Sequence, residues 1–352
     1  MHLVAPAPTP HVHHAARSHR LVDVYAHIGP GMLSRRARGA RPLVYVPNSE
    51  GNSVDVIDPR AYRVVRRFQV GALPQHVTPS YDLRTLYVDN DVGNTLTPID
   101  PRSGRPGRPL HVADPYNLYF TPDGRYAVVV AERLHRLDFR NPRSFRLVKS
   151  IRVPCAGVNH MDFSATGGYA IVSCEFSGQL LKVDVRRLRI LIVRRLPRRF
   201  AMPQDVRAAP NGRVFYVADL AAGGLWEISP RRLRVVRFIR TGSGAHGLVV
   251  SRNARILYVA NRNAGTISLL SFRRQRVVRT WRIPGGGSPD MGDVSANGRV
   301  LWLSGRFNAV VYAINTRTGR LLRRIRVGAS PHGVAVWPQP GRYSLGHTGN
   351  MR

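Results

Sequence analysis

The fold class this sequence predicts is all-β: a seven-bladed β-propeller of four-stranded antiparallel blades. Three observations predict it. First, the chain repeats itself seven times, with equivalent starts at Leu43, Thr85, Tyr126, Tyr169, Val214, Ile256 and Val300. Successive starts lie 41 to 45 residues apart, the period of a blade built from four short strands. Second, each unit is a series of β-branched and aromatic runs broken by turn residues. Third, the pattern closes on itself. The strand at residues 43–46 opens the series, but the first channel-lining strand, residues 75–78, already belongs to the next unit. The seventh channel strand, residues 333–336, is therefore expected beside residues 43–46, closing the ring and removing its open edge.

The sixth repeat displays the elements most plainly. Leu257-Tyr-Val-Ala260 is its second strand, and the turn Asn261-Arg-Asn-Ala-Gly265 leads to a third at residues 266–270 and a fourth at 276–283. The channel strand of the following blade comes next, near residues 290–295, with Ala296-Asn-Gly-Arg299 as its hairpin. Pro122-Asp-Gly-Arg125, Pro210-Asn-Gly-Arg213 and Gln339-Pro-Gly-Arg342 match it, and Asn-Gly and Asp-Gly supply the positive φ of tight hairpins. Outermost strands are rich in arginine, as in Arg63-Val-Val-Arg-Arg-Phe68. Charge on an exposed edge blocks sheet-to-sheet pairing, and the same residues also offer an anion-binding belt.

The chain divides into a His/Arg-rich arm at residues 1–42, the propeller at 43–342 and a tail at 343–352. Five histidines fall in the first twenty positions of the arm, which is expected to be largely disordered. The tail either covers a channel opening or frays. No apolar run approaches the ~18 residues of a membrane span, and the expected state is a monomer. No basic start leads into an apolar core, so no signal peptide is read as written. The expectation is cytoplasmic by default, and exported if the start codon is misassigned. Basic residues number 54 against 20 acidic, a formal charge of +34. Such a potential favours anionic partners, nucleic acid or another polyanion among them.

Leu257-Tyr-Val-Ala-Asn261, Leu86-Tyr-Val-Asp-Asn90, Val44-Tyr-Val-Pro-Asn48 and Phe215-Tyr-Val-Ala-Asp219 resemble the repeats of the YVTN family of β-propellers, relatives of the WD40-like folds. Val56-Ile-Asp-Pro59 and Pro331-His-Gly-Val-Ala-Val336 extend the resemblance over nearly all of residues 43–342. It implies a seven-bladed ring. It implies no single function, because members range from scaffolds to binding proteins.

In such a ring one face collects the loop before each channel strand and the turn after each second strand. The loops present His76, Tyr116, Asn117, His160, Asp205, His246, Asp290 and His332. The turns add Asp91, Glu132 and Glu175. These are the candidate ligand-binding residues, converging on one channel mouth. Imidazoles and carboxylates together suit a divalent or copper ion, with Glu132, His160, Glu175, His246 and His332 as candidate ligands. Polar loop residues also tie neighbouring blades together, which is their structural alternative. Cys155 and Cys174 belong on the same face, where they form a disulfide, remain two thiols or join a metal site. Phosphate loops and a Gly-x-Ser-x-Gly elbow are missing. The expected function is that of a non-enzymatic scaffold or binding protein for a small ligand, metal or protein partner. The alternatives are a metal-dependent lyase, hydrolase or oxidoreductase, and an anion or single-stranded nucleic-acid binder.

Overall fold

The computed structural model describes residues 23–352, which build seven sheets around a central channel; no helix occurs among the described residues. None is therefore long and apolar enough to cross a membrane. The five histidines of residues 1–20, and the disorder expected there, lie outside the described residues.

Blade 1 is completed from both chain ends, in the order Ala335–Trp337, Leu43–Asn48, Ser53–Asp58, Arg63–Gln69. Its closing ladder pairs Leu43 with Trp337, Val44 with Val336 and Tyr45 with Ala335. The closing strand thus starts two residues later and ends one residue later than the sequence pattern suggested, and pairs with Leu43, Val44 and Tyr45. Blades 2 to 7 begin with the channel strands Pro74–Pro79, Asn117–Phe120, Val158–Phe163, Pro203–Ala208, Ala245–Val250 and Pro289–Val294, and each then runs outward. In blade 2 the outermost strand is broken into Arg105–Pro106 and Leu110–His111, where Pro106 and Pro109 cannot donate to a ladder. Channel strands are buried along their length, whereas an outer strand such as Arg63–Gln69 alternates exposed and half-buried positions.

The residue ending each Tyr-Val-x-Asn run fastens its own blade. Asn48 donates to Ser53 and Asp55, Asn90 to Thr95 and Thr97, and Asn261 to Thr266 and Ser268, at 2.8–3.1 Å. In blade 5 Asp219 takes this place and accepts from the Trp226 indole at 2.7 Å. The repeated motif is thus a clamp between the second and third strands.

Carboxylates link neighbouring blades along the channel. Asp162 accepts from Ala208 N at 2.8 Å and Asp205 from Leu248 N at 3.0 Å. Residues 23–42, grouped above with the arm, pack on the face opposite the mouth. Val24, Tyr25, Ile28 and Ala37 are buried there, and the Tyr25 hydroxyl donates to Ala208 O at 2.9 Å.

The tail does not fray. Ser344 pairs with Met351, and Leu345 N donates to Asn350 O at 2.8 Å, making a β-hairpin. One arm lies along the blade 3 channel strand, with Phe120 N donating to Leu345 O and His347 N to Leu118 O, both at 2.9 Å. Asn350 and Arg352 donate to Asp162 at 2.9 and 2.8 Å. The tip is Gly346-His-Thr-Gly349, and all four residues have positive φ. A Cβ on Gly346 would run into the Leu118 carbonyl, and one on Gly349 into the Asp293 carboxylate. Only glycine lets the hairpin fill the bore this closely.

Candidate functional site at the channel mouth

Five channel strands slip register by one residue against their neighbours, between Pro74/Val77, Val158/Met161, Pro203/Val206, Ala245/Leu248 and Pro289/Gly292. A bulge of this kind re-aims side chains. The residues inside the five bulges include His76, His160, Asp205, His246 and Asp290. Five of the candidate residues thus occupy bulges, whereas Asp91, Tyr116, Asn117, Glu132, Glu175 and His332 lie outside them.

Below the mouth these strands assemble a layer of histidines. His76, His160, His246 and His332 are joined by His347 from the hairpin tip, and all five are buried. Ring centroids lie 4.8 Å apart for His76–His332 and for His76–His347, and 4.6 Å for His160–His347. The His76 Nδ1–H donates to the Tyr116 carbonyl at 3.1 Å, which leaves the Nε2 lone pair free. His160 Nδ1 meets the Asn117 amide at 2.8 Å, His332 Nδ1 the Gln75 amide oxygen at 2.9 Å and His347 Nδ1 the Thr348 hydroxyl at 2.7 Å. Nε2 of His76, His160 and His347 has no hydrogen-bond partner.

Burial pushes His76 down to about 3 and His246 to about 4. It drives His160, His332 and His347 well below the ordinary imidazole range, and neighbouring cationic groups add to this. The rings are therefore neutral near pH 7, with lone pairs to offer. Asp290 behaves oppositely. Burial disfavours its charge, but Arg262, His246 and Arg306 hold it below the ordinary carboxylate range. Its contacts are Arg262 at 2.8 Å, His246 at 2.7 Å and His332 at 3.6 Å.

Nearer solvent the mouth carries Tyr116, Glu132, Glu175, Arg262 and Arg306. Burial, then Glu175 and Asp91, push Glu132 up to about 8, so it is protonated at neutral pH. Burial also raises Glu175, which accepts from Asn159 at 2.7 Å. Asp91 is pushed up to about 7 by burial and Asp114, against the pull of Arg133. The turns on this face expose apolar side chains, Phe176 at 65% and Phe307 at 66%, with Val92 and Leu134 close to half exposed. Polar groups thus lie within an apolar rim, the mixture common in small-molecule sites.

The candidates separate into two levels. His76, His160, His246, Asp290 and His332 form the inner layer, while Tyr116, Glu132 and Glu175 sit above it. Asn117 orients His160. Asp205 holds Arg207 at 2.7 Å and Leu248 N, and Asp91 and Asp114 grip Arg133 at 3.5 and 2.9 Å, so these carboxylates are also struts. Two groupings could hold a cation, His76–His160–His347 and His246–Asp290–His332. Glu132 and Glu175 belong to neither. His347 was missed by sequence reasoning because it lies outside the repeat; its one signal is a histidine between two glycines. Cys155 and Cys174 form a disulfide at the entrance to blade 4.

Fold and channel together define a seven-bladed propeller whose bore is lined by polar residues. The chain belongs to the YNCE-like beta-propeller family, whose model matches residues 28–341. No curated protein matches the sequence. Among solved structures it is similar to a Kuenenia stuttgartiensis hydrazine synthase chain, at 17% identity and TM-score 0.65 over 84% of this chain and 97% of that one. A functionally unknown protein from Desulfotomaculum acetoxidans matches at 14% and 0.68, over 85% and 100% of the two chains. The dihydro-heme d1 dehydrogenase NirN, in complex with DHE, matches at 14% and 0.65, over 90% and 80%. At these identities the likeness concerns the fold alone.

Proposed function

We propose that this chain is a non-enzymatic binding propeller whose channel mouth receives a small ligand with an apolar body and a polar head. The observation that carries this reading is the set of buried polar atoms at the mouth without partners, Glu132 Oε1 among them, inside a rim exposing Phe176 and Phe307. Buried polar groups are normally satisfied, so unpaired ones facing an entrance support an incoming partner. A protonated Glu132 offers a donor, and Arg306 offers a cation to an acidic group. The solved neighbours include one propeller with a bound compound, DHE in NirN, which is compatible with this use of the fold. The disulfide favours an oxidising compartment.

The test is a thermal-shift screen of metabolite-sized compounds against the full chain, repeated with Glu132→Gln and Glu175→Gln. Compounds that stabilise the wild type should lose at least tenfold in affinity in variants that melt normally. If both variants instead lost several kcal/mol of stability and no compound bound, the two carboxylates would be inter-blade struts and the reading would fall.

A further inference from the structure

We propose that His76, His160 and His347 form a transition-metal site of the Zn(II) or Cu(II) class, with the C-terminal hairpin supplying the third imidazole. The proposal deepens the binding reading by assigning the inner layer of the channel a ligand of its own. The geometry is that of a ligand set without its ion. One nitrogen of each ring lies within 4.8 Å of the corresponding nitrogens of the other two, and all three residues are buried with essentially no exposure. No Nε2 has a hydrogen-bond partner in this site closed to solvent, that of His347 lying 3.7 Å from Asp205 Oδ1, and an unsatisfied buried polar atom is costly. Three such rings, each bringing one nitrogen within 4.8 Å of the others, are better explained by a shared occupant than by three separate defects. Imidazole nitrogen is the common ligand of Zn(II) and Cu(II), bound at ~2.0–2.1 Å for zinc. Modest ring rotations would bring the three nitrogens to that distance.

The outer nitrogens are prepared as metal-binding histidines require. His76 Nδ1–H is held by the Tyr116 carbonyl, and His347 Nδ1 lies on a hydroxyl that can accept its proton. His160 Nδ1 faces the Asn117 amide, whose Oδ1 is itself buried and unpaired. Turning that amide end for end lets Oδ1 accept from Nδ1–H and frees the His160 Nε2 lone pair. The neighbouring triple is different. In His246–Asp290–His332 the carboxylate is already neutralised by Arg262 at 2.8 Å, and a guanidinium beside a ligand oxygen opposes a cation. The two triples share one layer; in the first, the nearest carboxylate, Asp205, lies 3.7 Å from His347 Nε2 and is paired with Arg207 at 2.7 Å, but no ligand of the triple is itself bound to a guanidinium.

The hairpin makes the site conditional on the tail. His347 reaches the layer because residues 344–351 are paired, because Gly346 and Gly349 permit the approach, and because Arg352 is tied to Asp162. Without the tail only two of the three imidazoles remain.

The experiment uses the full chain without an affinity tag, stripped with chelator and titrated with Zn(II), and with Co(II) for its absorption spectrum. Wild-type protein should retain one equivalent against a competing chelator and melt higher when loaded. His76→Ala, His160→Ala and His347→Ala should each weaken that equivalent at least a hundredfold and abolish the visible Co(II) bands of an imidazole-bound ion. The histidines of residues 1–20 are common to every protein compared, so their binding cancels. His347→Gln, close in size, serves if an alanine variant fails to fold: it should melt like metal-free wild type and gain nothing from Zn(II). Equal stoichiometry and affinity in wild type and variants, or no retained equivalent in any of them, would overturn the site. A metal-free protein that still bound a screened compound in a Glu132-dependent way would leave the mouth reading intact while this one fell.

Discussion

The rings of His160 and His347 stand 4.6 Å apart, one on the blade 4 channel strand and the other at the tip of the C-terminal hairpin. The contact joins the repeat to a segment outside it. What fixes the hairpin therefore also fixes the composition of the histidine layer.

Asp162 is the anchor of that arrangement, accepting from Phe163 N, Ala208 N, Asn350 and Arg352 at 2.7 to 2.9 Å. Asp162→Asn leaves Arg352 buried without a counter-charge, and such a loss costs about 3–5 kcal/mol. Deleting Arg352 alone leaves Asp162 with three other donors and should cost less. Urea unfolding of both variants checks the order, and the reverse order would contradict this account of the anchor.

Truncation after Arg326 removes both the closing strand and the hairpin. The strand Leu43–Asn48 then loses its channel-side neighbour, and the ring is left with open edges. Calorimetry should record no cooperative transition, with aggregation on warming. A truncated protein melting like the full chain would show that blade 1 does not depend on Ala335–Trp337.

Glu132 should make stability fall with rising pH. Its folded carboxyl is raised from 4.5 to about 8 by burial, then by Glu175, Asp91 and Asp114, with Arg133 opposing. The folded state thus holds a proton that the unfolded chain has released. The contribution is complete below pH 4.5 and is lost as the pH rises through about 8. Melting curves from pH 5 to 8.5 should show Glu132→Gln declining less than wild type, by several degrees or about 1–2 kcal/mol. Parallel declines would mean that this carboxyl is ionised in the fold at neutral pH.

Reducing the Cys155–Cys174 bond should destabilise the chain by about 3 kcal/mol, since the bond closes a loop with a sequence separation of 19 residues. Cys174→Ala should melt like reduced wild type. Two free thiols titrated in the unreduced, denatured protein would show that no bond forms.

The ring itself was legible because a blade repeats: one good copy teaches the eye the other six, and Asn48, Asn90 and Asn261 stand in the motif for a reason now visible in their hydrogen bonds. The mouth residues were legible for the same reason, since topology alone assigns Glu132 and Glu175 to one face. Depth was not. Whether His160 lies with the carboxylates or beneath them depends on a one-residue bulge between Val158 and Met161, which leaves no distinct mark in composition. His347 lay outside the repeat, where periodicity has nothing to say. The burial of Val24, Tyr25 and Ile28 was hidden by the basic character of the segment around them.

Closure by the last strand also orders events during synthesis. Leu43–Asn48 is among the first strands to leave the ribosome, yet its channel-side partner Ala335–Trp337 is among the last made. The hairpin that fills the bore emerges later still. Throughout translation the nascent chain therefore carries an unmatched strand edge, the kind of surface that aggregates or recruits chaperones. Only after residues 335–351 have been made can blade 1 be finished and His347 be seated. Closure of the ring and assembly of the histidine layer are consequently coupled late events.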